Sequence, residues 1–84
     1  MRYAKRLAHR VIEGKAFVLE PRAKMMHSLN PAATRIWELA GKGSSEEQTA
    51  AALMAEFDVS AEKAKADTSL FLRRLVVMGL LESS

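Results

Sequence analysis

The sequence predicts an α+β fold, a three-stranded antiparallel sheet followed by three helices, and three observations carry that prediction. Before Asn30 the chain holds three short runs rich in β-branched, aromatic and long apolar residues, broken at Gly14-Lys15 and at Pro21-Arg22-Ala23. Such breaks are turn chemistry. After Asn30 the apolar residues recur at helical spacing. The change of period falls inside "KMMHSLNPAATRIWEL", where Met25, His27 and Leu29 alternate as in a strand while Ala33, Ile36, Trp37 and Ala40 recur as in a helix.

The strands are expected near His9–Glu13, Ala16–Glu20 and Lys24–Leu29, joined as a tight meander. In the middle strand Phe17 and Leu19 point to one face and Ala16 and Val18 to the other, so both faces are apolar and both call for cover. Asn30 is a preferred N-cap and Pro31 suits the first helical position, where its missing N–H would have had no partner. The third strand therefore ends where the first helix begins. That helix, Pro31 to about Ala40, buries Ile36 and Trp37 and stops at Gly41-Lys42-Gly43. Ser45 with Gln48 forms a capping box for a second helix to Phe57, whose apolar face (Thr49, Ala50, Leu53, Phe57) is thin. Ser60 caps the third helix, Ala61 to Met78, with Val59 stapled onto Ala64. Gly79 is placed for a left-handed C′ residue and Leu80 for the contact of a Schellman cap, after which "GLLE" reads as a short extended segment. Three strands, then helices with a tight turn between the second and third, make a winged-helix-like arrangement.

The chain of 84 residues, with 49% hydrophobic and 27% charged residues, is read as a single domain over residues 1–84, with 1–7 allowed to be flexible. With no cysteine there are no disulfides, thiolate zinc sites or cysteine nucleophile, and a cytoplasmic setting is expected. "MRYAKRLAHRVIEG" is basic but lacks the apolar core of a signal peptide, and nothing approaches a membrane span, so no membrane partner is expected. The net charge of +3 is mild but uneven, with Arg2, Lys5, Arg6, Arg10, Lys15, Arg22 and Lys24 in the first third.

On the third helix Ala64, Thr68, Phe71, Leu75 and Met78 form one stripe, with Ala61 and Leu72 at its margin. Lys63, Ala66, Arg74 and Val77 fall within about 40° of Leu70 on another side. A helix in a three-helix domain needs one buried face, so the strip Ala66, Leu70, Val77 lies under the hairpin, in water, or against another protein. The last reading makes a groove between the third helix and the third strand, where an extended peptide could add as a strand. Arg73, Arg74 and Lys63 would favour acidic residues in it.

The same helix is also where a helix-turn-helix protein reads DNA. A winged-helix DNA-binding regulator is the alternative function, but Glu62 and Asp67 interleave with Lys63, Lys65, Arg73 and Arg74, which weakens nucleic acid as a partner. For catalysis, His9 and His27 sit on separate strands, with no His-x-x-x-His pair and no glycine-rich phosphate loop. No catalytic residue, metal site or cofactor is expected.

The segments "HSLNPAATRIWELAGKG", "TAAALMAEFDVSAE" and "ADTSLFLRRLVVMGLLE", in this order, resemble the PqqD family, the pyrroloquinoline-quinone biosynthesis protein D group, over roughly residues 26–82. Leu29-Asn30, Ile36-Trp37, Asp67, Phe71-Leu72, Leu75 and Gly79-Leu80-Leu81 carry the resemblance. It implies a non-enzymatic recognition element that holds the leader of a ribosomally made precursor peptide and presents it to a modifying enzyme, a radical S-adenosylmethionine enzyme in the quinone pathway. In such modules the leader lies beside the third strand and along the third helix. Carried over by position, the peptide-binding residues would be Met25, Met26, His27 and Ser28 on the strand and Lys63, Ala66, Leu70, Arg73, Arg74 and Val77 on the helix. The sequence departs from the family pattern at Glu46 and Thr49, where larger apolar residues are usual; looser packing or a neighbouring subunit, as in a homodimer, would account for that. Ser28 stands where an apolar residue is common, so the peptide and the final product are not assigned.

Overall fold

In the computed structural model, which describes residues 1–5 and 7–82, the elements in order are β1 (Arg2–Tyr3), β2 (His9–Ile12), β3 (Lys15–Glu20), β4 (Met25–Ser28), α1 (Pro31–Gly41), α2 (Glu46–Glu56), α3 (Ala61–Val77) and β5 (Leu81–Glu82). The α+β fold is the expected one: an antiparallel sheet in the order β2-β3-β4, followed by three helices.

Glu13 and Gly14 both take positive φ, 51° and 78°, and this two-residue turn has the twist that a hairpin needs. The break is therefore one residue earlier than the Gly14-Lys15 expected from sequence, and Lys15 opens β3. Lys24, expected in the third strand, sits at φ 52° in the turn before β4.

Asn30 caps α1 as expected, its Oδ1 accepting from Ala33 N at 2.8 Å. A second contact explains how strand passes into helix with no loop. Leu29 N donates to Ala16 O at 2.8 Å, but Ala16 N donates instead to Thr34 Oγ1 at 2.8 Å, and that hydroxyl donates to Leu29 O at 3.1 Å. The Thr34 hydroxyl thus replaces the last ladder bond and ties α1 to the sheet. Sequence periodicity left Thr34 out of the buried face, where it belongs.

Ser45 and Gln48 close the expected capping box on α2, and Ser60 caps α3. At the end of α3, Leu80 N bonds Leu75 O and Gly79 N bonds Val76 O, at 2.9 and 3.0 Å, with Gly79 at φ 78°. That is the Schellman pattern. The core lies between one sheet face and the helices, with Val18, Trp37, Leu75 and Leu80 fully buried. On α3 the buried stripe is Ala64, Thr68, Leu72 and Leu75. Its centre is rotated toward Leu72, which leaves Phe71 and Met78 half-buried and Ala61 exposed.

The flexibility allowed to residues 1–7 covers Arg6, which lies outside the described residues. Arg2 and Tyr3 pair with Glu82 and Leu81 in a second, two-stranded sheet. Tyr3 stacks on Trp37 with ring centroids 4.3 Å apart and donates its hydroxyl to Trp37 O at 3.0 Å. Burial, and then the nearby Glu38 carboxylate, push the Tyr3 phenol up to about 12. Among the described residues, no helix is long and apolar enough to cross a membrane.

Candidate functional site: a free strand edge beside an apolar cavity

β4 ends the three-stranded sheet and has no partner on its outer side among the described residues. The phase of its ladder follows from one bond. Ala16 and Leu29 form a hydrogen-bonded pair, and the register Val18↔His27 and Glu20↔Met25 keeps the same parity. Antiparallel bonding alternates, so Met25 and His27 spend their main-chain groups on β3. Met26 and Ser28 therefore turn both N–H and C=O toward the open edge. The side chains alternate the other way: Met25 and His27 share a face with Val18, while Met26 and Ser28 share the opposite face with Leu19 and Phe17. Met25 and Met26 are 56% and 59% exposed. His27 Nε2 lies 2.8 Å from Glu20 Oε1; a carboxylate can only accept, so Nε2 carries the proton.

Where β4 gives way to α1 a cavity of about 220 Å³ opens, lined by Asn30, Ala33 and Ile36, by Phe57 and Val59 at the α2 to α3 corner, and by Asp67, Leu70, Phe71 and Arg74 of α3. It is smaller than the ~300–1,000 Å³ of typical small-molecule sites, a size suited to one or two side chains. The strip on α3 is uncovered: Leu70 is 52% and Val77 84% exposed, and Ala66 is exposed. The hairpin does not lie over it. Lys63 Nζ pairs with Asp67 Oδ2 at 3.1 Å, which spends its charge locally. Arg73 and Arg74 have no ion-pair partner among the described residues.

The matching sequence profile is that of Coenzyme PQQ synthesis protein D (PqqD), over residues 15–81. The chain belongs to the PqqD family. The matched span includes β3, β4, all three helices and the cavity. No curated protein matches this PqqD-family chain. Two solved structures resemble it closely. TbiB1, solved in complex with the TbiA(beta) leader peptide, is 26% identical, with a TM-score of 0.87 over 100% of this chain and 98% of its own. A lasso peptide synthetase B1, complexed with the leader peptide, is 21% identical, with a TM-score of 0.84 over 98% of this chain and 96% of its own, and shows the shared fold.

Of the residues singled out from sequence, Leu70 and Arg74 line the cavity. Met25, Met26, His27 and Ser28 make up the edge strand. Lys63, Ala66, Arg73 and Val77 are exposed on α3 outside the cavity. Phe71, assigned from sequence to the core, does pack on it, but it also lines the cavity, a role that periodicity alone leaves undecided. Sequence reasoning missed Ala33, Phe57 and Val59, whose meeting is a matter of tertiary packing.

The two histidines do not converge. They flank Val18 from β2 and β4, and His9 Nδ1 accepts from Trp37 Nε1 at 3.4 Å. Among the described residues no group of three or more His, Asp or Glu side chains could hold a metal ion. The DNA-reader alternative gains nothing from the structure, since acidic and basic residues remain interleaved along exposed α3.

Proposed function

We propose that this chain is a non-catalytic cytoplasmic module that holds the leader of a ribosomally made precursor peptide as an added strand beside β4, and presents it to a radical S-adenosylmethionine or other peptide-modifying enzyme. The observation that carries this reading is the meeting of a free strand edge with an apolar cavity and an uncovered helix strip. TbiB1, similar along the whole chain, binds a leader peptide, which supports it.

The four edge groups of Met26 and Ser28 offer main-chain bonds worth on the order of 1 kcal/mol each. Association costs about 4–15 kcal/mol in lost freedom, so strand pairing alone would not hold the peptide. An apolar side chain set into the cavity against Leu70 and Phe71 supplies about 1.5–3 kcal/mol more. Arg73 and Arg74 attract acidic residues beside it and raise the encounter rate.

Titration with the leader peptide encoded beside this chain, followed by amide shifts, is expected to move Met26, Ser28 and α3 from Lys63 to Val77. Leu70→Asp should weaken binding at least tenfold with the fold retained. Shifts confined to the turn between α1 and α2, with β4 and α3 silent, would contradict the reading.

A further inference from the structure

We infer that the outer face of the β2-β3-β4 sheet is a second docking surface, one that takes an apolar, acid-rimmed patch on the enzyme that modifies the bound peptide; this rests on the peptide-holding reading above. The register places Ile12, Phe17, Leu19 and Met26 on the face opposite the core. With Leu7 they line a broad groove of about 600 Å³. Phe17 and Leu19 are half-buried but do not belong to the set that packs on the core among the described residues, and the residues lining the groove with them all lie outside the helices. Ile12 is 47% exposed.

The charges on this face are of one sign. Arg10 pairs across from Phe17 and Lys15 from Ile12, and neither is ion-paired among the described residues. Glu20 points to the other face, toward His27. An apolar centre with basic margins fits an apolar patch with acidic margins.

Charge decides against a second copy of this chain. Two copies stacked by this face would bring Arg10 and Lys15 against their own kind. Nucleic acid is disfavoured because the centre offers no phosphate contact. An enzyme seated here would also reach the bound peptide. A strand added at β4 extends the sheet, and its alternate side chains would lie beside Met26 and Ser28 on this same face. The partner would then read module and peptide together, and each would tighten the other's binding by the same factor.

Photo-crosslinking tests this, with p-benzoylphenylalanine placed at position 17 or at position 70 of the full chain in its native host. Position 70 should capture a short peptide. Position 17 should capture a protein that modifies that peptide when purified, with less capture as salt rises. Ile12→Glu should abolish the enzyme complex in sedimentation while peptide affinity stays within about twofold, a difference of ~0.4 kcal/mol. The inference is overturned if position 17 captures a second copy, nucleic acid, lipid, an enzyme inactive on the peptide, or nothing. A peptide at position 70 with any of these at position 17 leaves the peptide-holding reading standing; no peptide at position 70 removes both.

Discussion

The Thr34 hydroxyl stands where the last hydrogen bond of the β3 to β4 ladder would be, accepting from Ala16 and donating to Leu29. Thr34→Val keeps the shape and removes both bonds, leaving a buried N–H and C=O unpaired. A loss of about 1–3 kcal/mol in urea denaturation is expected. Thr68 predicts the opposite sign: its hydroxyl is buried with no partner among the described residues, so Thr68→Val should leave stability unchanged or raise it. Equal losses in the two variants would show that methyl packing, and not bonding, decides both sites. Neither role was legible in the sequence. A threonine on a helix looks the same whether its hydroxyl meets the strands or nothing, and the partners of Thr34 are separated from it in the chain.

At the level of elements, the edge phase of β4 is open to direct test. Proline lacks an N–H and is tolerated where that group faces solvent. Met26→Pro should therefore keep the fold by circular dichroism and lose peptide binding, whereas His27→Pro breaks a ladder bond to Val18 and should unfold the hairpin. The reverse outcome would mean that the parity drawn from Leu29 and Ala16 is wrong. Much at this scale was readable beforehand, for local reasons. Asn30-Pro31, the Ser45/Gln48 box and Gly79 act within one turn of chain, and the strip of Leu70 and Val77 follows from helical spacing alone. Phe71 packs on the core as its spacing implies, but its second role at the cavity was not legible, because α1, α2 and α3 must pack before the cavity exists. The pairs β1 and β5 are two residues each, too short for any period.

For the molecule as a whole, the contact that fastens the first residues to the helices is the close approach of Tyr3 to Gly41. A Cβ at Gly41 would fall within the Tyr3 ring, so Gly41→Ala should push Tyr3 off Trp37. Overpacking of this kind costs about 1–3 kcal/mol, and each kcal/mol lowers Tm by roughly 4–8 °C in a domain of this size. On a Tyr3→Ala background the same change should cost almost nothing, because the clash is gone; an undiminished loss would locate the strain elsewhere. The small sheet also brings Arg2 opposite Glu82. Those two positions are near enough for a few glycines to join them, and the turn at residues 21–24 is exposed. A circular permutant opened there would begin at the peptide-holding edge and end beside it. A leader could then be fused in cis to that new terminus, making a self-loaded module that an enzyme would meet already occupied.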